Sequence, residues 1–455
     1  MKNGLLANVV FQARKTATSD SRSATSDQCH WPLTTNSPML FPTMNPRTIG
    51  RIDRLVGKPV CLALTCLRRL GRLFRAPADA NCPVARVLFI KMIEQGATVL
   101  AYRALVSAVE RVGRENVYFW VFRENRPILD FLDVIPSENV IEVRTDNPLR
   151  LLLDMLCTVW KIRRLKIDAT VDMEFFARAP AILSFLTGAR RRVGLHRFTS
   201  EGPYRGDLLT HRVQYNPYLH TAINYYILVE SLWADPAQTP LAKIPAPAVD
   251  AAPSSFKPAA VERDAVLAIL VRLAAGPLPG PLVLLNPNAS DLLPLRKWPT
   301  DRFIELGRRV LRDHGDCTVA ITGAPSECQA AAEVAAAIGG RCINLAGETT
   351  LRQLMVLYTI ADVLVTNDSG PGHFASMTEV DTIVLFGPET PALFGPLGRH
   401  AHVVWANLAC SPCVNVLNHR FSPCNDNVCM QRIEVDQVHG MVNDLLQRRA
   451  KAEQS

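Results

Sequence analysis

From Val84 onward, short apolar runs alternate with longer stretches of helical period. VARVLFIK (84–91), VYFWVF (117–122), NVIEV (139–143) and IDATVDM (167–173) read as strands, with helical text such as TVLAYRALVSAVERV and LRLLLDMLCTVWKIRRL between them. Continuous apolar strands that alternate with helices predict a parallel sheet covered on both faces. A Pro- and Ala-rich stretch between Pro236 and Pro281 predicts a linker followed by one helix. A second alternating series follows: LVLLN (282–286), CTVAIT (317–322), CINLA, DVLVTN (362–367) and DTIVLFG (381–387), with helices at DRFIELGRRVLRD, APSECQAAAEVAAAI and LRQLMVLYTI. The expected organisation is a disordered leader (1–50), a basic amphipathic segment (51–83), an α/β domain (84–250), a linker and helix (251–281) and a second α/β domain (282–455). Ligands of open α/β sheets sit outside the carboxyl ends of the strands, so two such domains facing each other predict a cleft between them.

Charge changes this picture at the N-terminus only. The chain of 455 residues has a net charge of +8, and residues 1–82 account for all of it, with twelve Lys and Arg against four Asp. The balanced remainder argues against a nucleic-acid partner. In RIDRLVGKPVCLALTCLRRLGRLFR (51–75), Leu and Val recur beside Arg54, Lys58, Arg68, Arg69, Arg72 and Arg75. Such a segment suits the surface of an anionic membrane, at roughly 1 kcal/mol per basic residue. No apolar run is long enough to span a bilayer, and MKNGLLANVVFQARKTATSD lacks a secretory h-region. The expected location is therefore cytoplasmic, with peripheral attachment to the inner membrane surface.

The densest chemistry follows the strand DVLVT, where Asn367-Asp368-Ser369-Gly370-Pro371-Gly372-His373 leads into FASM. Asp368 or Ser369 is placed to cap the helix that begins there, and Gly370 and Gly372 let a phosphate approach the backbone near His373. Other strand ends of the same half carry Asn286, Asn288 and Ser290, the run Arg296-Lys297-Trp298-Pro299, and Gly323 with Glu327. A lysine beside a glycine-rich turn suits a diphosphate, and a carboxylate such as Glu327 suits ribose hydroxyls or a base edge.

The KWP run followed by FIELGRRVL, the TNDSGPGHFAS turn and FGPETPALFGPLG together resemble family 9 glycosyltransferases, the lipopolysaccharide heptosyltransferases and their relatives. The resemblance runs from about Val84 to Val438 and is strongest from Leu282 to Gly398. It implies a GT-B fold of two Rossmann-like domains. It also implies inverting transfer of a sugar, with heptose the sugar expected, from a nucleotide-diphosphate donor to a glycolipid or oligosaccharide acceptor, with no cofactor or catalytic metal. Carried over by position, Lys297 would hold the donor phosphates and Glu327 the nucleoside, while Asp368, Ser369, Gly370 and His373 would line the diphosphate-sugar pocket. A protonated His373 would add positive charge there.

One position departs from the family. Its first strand is followed by a Gly-Asp pair whose Asp serves as the general base, and here Gly96 is followed by Ala97. Glu94 in the same loop, or Asp172 or Glu174 at the next strand end, is the substitute expected. Two other readings stay open: a nucleotide-sugar-binding protein without turnover, and a nucleotide-sugar epimerase of the same fold. Arg190–Arg192, His196, Arg197, Tyr204 and Arg205 form a polar segment read as a charged loop, where an anionic acceptor is the alternative. Cys410, Cys413, Cys424 and Cys429 offer a zinc-like spacing only in the first pair, so buried thiols or labile disulfides are expected before metal.

Overall fold

The computed structural model describes residues 51, 53–72, 83–145, 147–198, 202–248, 256–289, 293–418 and 420–454. The expected leader and Ser290 lie outside the described residues. The remainder is built on two six-stranded sheets in which every pairing is parallel. The first contains β1 (Val87–Ile90), β2 (Val117–Phe122), β3 (Val140–Val143), β4 (Ala169–Asp172), β5 (Arg191–Leu195) and β6 (His211–Val213), in the order β3-β2-β1-β4-β5-β6. The second contains β7 (Leu282–Asn286), β8 (Thr318–Ile321), β9 (Cys342–Asn344), β10 (Val363–Asn367), β11 (Asp381–Phe386) and β12 (Ala401–Trp405), ordered β12-β11-β10-β7-β8-β9. The two orders are the same when read from opposite ends, so each sheet reverses direction beside its first strand. That reversal is where a crevice opens.

Both sheets are covered on both faces, which explains why their central strands are apolar without alternation. The helix Thr300–Asp313 shows how the covering works: Phe303, Leu306, Gly307 and Val310 recur at helical spacing and are buried on the second sheet. The helix Ala260–Leu273 packs on the helix Leu351–Tyr358. Three strands escape the sequence pattern. The Arg190–Arg192 segment, read as a charged loop, runs into β5 from Arg191, and Arg192 is buried with its guanidinium donating to the carbonyls of Leu208 and Ala189 at 2.6 and 2.5 Å. β6 and β12 are edge strands, the former too short to show a period.

The basic segment forms a π-helical turn (Asp53–Gly57) and a helix (Lys58–Arg72) that lie on the first domain. Contact is made by the small face. Cys61 and Thr65 are buried against Gly206, whose φ of +68° and close approach, 2.6 Å from an added Cβ to Thr65 Oγ1, leave no room for a side chain. Asp53 pairs with Arg178, and Arg68 with Asp207. The leucines face outward: Leu55, Leu62, Leu67 and Leu70 are all more than half exposed. Among the described residues, no helix is long and apolar enough to cross a membrane.

The two halves meet along their carboxyl edges. The helices Gln95–Leu100 and Gly370–Ala375 pack together, Phe175 meets Phe394 edge-to-face at 6.2 Å, and His220 Nε2 lies 3.0 Å from the Gly395 carbonyl.

Candidate active site

Each sheet places its reversal point at the junction. In the second sheet, Asn367 ends β10 and ties three segments together. Its Nδ2 donates to the carbonyls of Pro287 and Asn288 after β7, and its Oδ1 accepts the Trp298 N–H at 3.0 Å. A buried asparagine that satisfies backbone groups from two other segments fixes them relative to its own strand end. In the first sheet, Glu174 does the corresponding work after β4, accepting the N–H groups of Met92 and Ile93 at 2.8 and 3.1 Å. That carboxylate holds the turn after β1 in a shape that puts Glu94 at φ 70°, ψ 79°, a left-handed conformation that costs a non-glycine residue about 1 kcal/mol.

Glu94 belongs to a charged array that crosses from one domain to the other. Lys91 Nζ, fully buried, is 3.4 Å from Glu94 and 3.5 Å from Glu174. Glu94 pairs with Arg420, Arg420 approaches Glu389 at 3.9 Å, and Glu389 accepts from Arg296 at 2.9 Å. Arg296 also reaches Asp368 at 3.3 Å. Burial acts to raise the Glu94 carboxyl, but Arg420 and then Lys91 outweigh it and bring it down to about 2, so Glu94 is ionised. Burial also acts to lower Lys91, yet Glu174, Tyr225 and Glu94 hold it above its ordinary value. Asp368 and Glu389 are both pushed up by burial, against the pull of Arg296 and Arg420.

The structure brings most of the residues singled out in the sequence to this junction. His373 lies against Gly96, and its Nδ1 has no partner among the described residues. The condition under which this histidine would add positive charge is not met: burial first, then His220, Arg296 and Arg420, pull it down to about 3, and the ring is neutral. The expected cap is corrected. Ser369 occupies the N-cap position but donates instead to the Asn367 carbonyl at 3.1 Å, and Asp368 is engaged by Arg296. Gly370 opens the same helix beneath the Phe374 ring. Glu327 accepts the Ala324 N–H at 2.7 Å, and an added Cβ at Gly323 would meet both Glu327 Oε2 and Asn288 Nδ2. Asn288 Nδ2 is buried without a partner among the described residues. Lys297 is half-buried, with its carbonyl held by Asn427 at 2.9 Å. Asp172 and Glu174 are placed differently from Glu94. Asp172 is fully buried in a pair with Arg205, where burial pushes it up to about 6 against that guanidinium, and Glu174 serves backbone N–H groups and Lys91. Ala97 is buried in the helix that follows Glu94.

A family model described as glycosyltransferase family 9 (heptosyltransferase) matches residues 160–420, more than half of the sequence. The chain belongs to glycosyltransferase family 9. Family 9 relatives include the lipopolysaccharide heptosyltransferase 2 of Salmonella typhimurium, 32% identical over 128 residues, or 27% of this chain and 36% of that protein. The lipooligosaccharide heptosyltransferase 2 of Campylobacter jejuni is 26% identical over 164 residues, or 36% and 50%. The chain therefore aligns with between about a third and a half of these relatives' lengths. In structure, the ADP-heptose lipopolysaccharide heptosyltransferase II of Escherichia coli superposes with a TM-score of 0.59 at 19% identity, covering 80% of this chain and 99% of that one. A family 9 glycosyltransferase from Veillonella parvula gives 0.61 at 17%, covering 80% and 97%. These likenesses establish the GT-B fold of the family: two Rossmann-like domains about a central cleft.

Glu389 stands inside the FGPETPALFGPLG run, where nothing local marks its ion pairs, and Arg420 lies outside every motif. Arg420 reaches Glu94 from a loop that also carries the cysteines, 326 positions along the chain. Cys410 and Cys424 are exposed, Cys413 is half-buried and Cys429 is buried, with Ser422 Oγ 3.2 Å from Cys413 Sγ. Burial pushes the Cys429 thiol up to about 11, and the other three thiols add to the shift. Among the described residues, no group of three His, Cys, Asp or Glu has a metal-binding arrangement.

Proposed function

We propose that this family 9 protein transfers a sugar, with inversion, from a nucleoside-diphosphate donor to an envelope glycolipid or oligosaccharide, and that ADP-heptose is the first donor to test. One observation carries the reading: across the cleft, an ionised carboxylate of the first domain, Glu94, faces the guanidiniums and imidazole of the second, Arg420, Arg296 and His373. In this reading the nucleoside lies by Asn288, Gly323 and Glu327, and the diphosphate lies against Arg296, Arg420 and Lys297 beside the turn Asp368–Ser369–Gly370. Glu94 accepts the acceptor hydroxyl proton as that oxygen attacks the anomeric carbon from the face opposite the diphosphate. Preoriented guanidiniums and a neutral His373 N–H then stabilise the departing charge.

The pairing of Glu94 with Arg420 has a chemical consequence for this mechanism. A carboxylate held near 2 is a poor base. Donor phosphates that draw Arg420 away remove the strongest cation acting on Glu94, raise its basicity and couple donor binding to proton acceptance. Closure of the cleft excludes water from the same place.

The outward leucines of the helix Lys58–Arg72 support attachment to an anionic membrane surface. A neighbouring helix, Pro148–Arg164, adds exposed Leu149, Leu152, Leu153, Leu156 and Trp160. The two helices flank the helix Arg178–Leu186, which receives a hydrogen bond from Arg163 and packs on Lys58–Arg72.

The reading is tested by sugar transfer from ADP-heptose to a heptose-deficient lipopolysaccharide core, together with thermal shift in ADP, UDP and GDP. Glu94→Gln is expected to lower turnover about 10²- to 10⁴-fold with donor binding retained. Unchanged turnover removes Glu94 as the base, and a flat response to all three nucleotides removes the donor site.

A further inference from the structure

At the carboxyl end of β5, on the sheet edge that also carries Glu94, a cavity of about 350 Å³ opens that the proposed transfer does not use. It is walled by Thr65 and Arg69 of the helix Lys58–Arg72 and by His196, Arg197, Arg205 and Arg212. Positive charge is in excess here. Asp207 receives Arg68, Arg69 and Arg212, and Asp172 receives Arg205. With Arg197, five guanidiniums thus meet two carboxylates among the described residues.

Arg205 makes the cavity more than a basic surface. Its side chain is fully buried, one terminal nitrogen donates to the Leu195 carbonyl at 2.7 Å and the other to Asp172, but Nε has no acceptor among the described residues. A buried donor left unpaired is costly, and an Nε–H set among further guanidiniums suits one oxygen of a phosphate. We infer that this cavity is an anion subsite for a phosphate monoester on the saccharide acceptor, filled by the phosphate while the acceptor hydroxyl lies toward Glu94.

The inference rests on the proposed transfer for the word acceptor, and on the cavity alone for the phosphate. His196 shows the local potential independently: burial and then Arg212, Arg205 and Arg197 pull it down to about 4, leaving the ring neutral amid the guanidiniums. The wall formed by Lys58–Arg72 also connects the two surfaces. The helix whose Thr65 and Arg69 face the cavity turns Leu62, Leu67 and Leu70 to solvent, so a phosphorylated headgroup can enter while those leucines meet the acyl boundary.

The test uses the full chain and two sources of the same chemistry. Free glucose 6-phosphate, with glucose as the control, is titrated calorimetrically. Phosphatidylcholine vesicles carrying a bis-phosphorylated glucosamine glycolipid, or its dephosphorylated form, are used for co-sedimentation. Saturable binding that requires the phosphate is expected in at least one arm, and the arm in which it occurs identifies the source. Arg197→Gln and Arg212→Gln each weaken it about tenfold, since each removes a charge-assisted contact, while ADP affinity stays unchanged. Both replaced side chains are solvent-accessible, so the fold is retained, as circular dichroism will verify. Absence of phosphate-dependent binding in both arms, or full binding by the double variant, overturns the subsite. Phosphate binding without ADP binding supports the subsite and counts against the donor site alone.

Discussion

The His373 imidazole rests on Gly96, so close that a methyl group built on that glycine would stand 2.6 Å from the ring's Cδ2. The two residues belong to different domains, and the contact sets how nearly the sheet edges approach. Gly96→Ala forces either the imidazole or the whole helix Gly370–Ala375 to move. Overpacking of this kind costs about 1–3 kcal/mol. The expected outcome is a lower urea midpoint with turnover reduced more than ADP affinity, because the proposed donor site lies on one domain and the proposed base on the other. A variant that matches the parent in both assays would show that the cleft does not close through this contact.

Arg296 holds two buried carboxylates at once, Asp368 and Glu389. Arg296→Ala leaves both without their nearest cation, and breaking a buried pair from one side costs about 3–5 kcal/mol. Arg296→Lys retains the charge but loses the fork that spans two acceptors, so it is expected to recover part of the stability and little of the ADP affinity. Urea unfolding and calorimetric titration of ADP read the two effects separately.

Legibility in the sequence followed physical rules that differ from place to place. Central parallel strands are buried on both faces, so β1, β2, β4, β7 and β10 are written as apolar runs and the alternating pattern exposes them. β5 hides because its arginine is buried through main-chain acceptors that no linear pattern displays. The turn from Asn367 to His373 could be read because glycines and helix-capping residue types crowd a strand end, although the actual bonds of Ser369 and Asp368 were not the expected ones. Glu94, Asp172 and Glu174 looked alike as strand-end carboxylates. Burial and partners separate them, and both are properties of the folded chain. Arg420 carried no local signal at all, since its partner is Glu94 and the loop between Cys413 and Cys424 has no period.

Each buried histidine should weaken the fold as pH falls from near neutrality, opposed by Asp172, Asp368 and Glu389, whose raised carboxyls take up protons in the folded state. Burial holds His373 at about 3 and His211 at about 4, against an ordinary value of 6.5 that the unfolded chain regains. Between those values the unfolded state binds the extra protons, so the histidines' contribution to stability falls as pH falls below about 6.5, by up to about 1.4 kcal/mol per pH unit for each histidine. His211→Gln, remote from the cleft, is expected to remove one proton's worth of that slope between pH 6.5 and pH 4.5. Urea unfolding across this range checks it, and an unaltered slope would mean that His211 is already protonated in the fold.

The outward leucines make a prediction in which stability and binding part company. Leu62, Leu67 and Leu70 are exposed and contribute little to the core, so replacing all three by Ser is expected to change stability by roughly 0.5 kcal/mol per site or less. Binding to vesicles rich in phosphatidylglycerol should fall by at least tenfold, because each leucine carries several methylene equivalents at about 0.8 kcal/mol. Salt should weaken what remains, since Arg54, Lys58 and Arg69 act through screened charge. Sedimentation at two ionic strengths distinguishes the apolar from the electrostatic part.

Glu94 and Arg420 are the pair whose coupling should respond to the donor. At neutral pH both are charged and largely buried, and a cycle of Glu94→Gln, Arg420→Gln and the double variant is expected to return an interaction of about 0.5–3 kcal/mol in urea unfolding. Glu94 is held down to about 2, so the coupling is fully present above its unfolded value near 4.5 and is lost as pH falls through the interval between the two. Saturating ADP supplies a competing diphosphate for Arg420. If the guanidinium turns to it, the interaction measured with ADP shrinks, and the acid limb of the stability profile for the parent protein moves toward that of Glu94→Gln. An interaction that ADP leaves at full size would mean that Arg420 stays on Glu94 throughout, in which case it serves as a fixed strut between the domains and Glu94 does not gain basicity from donor binding.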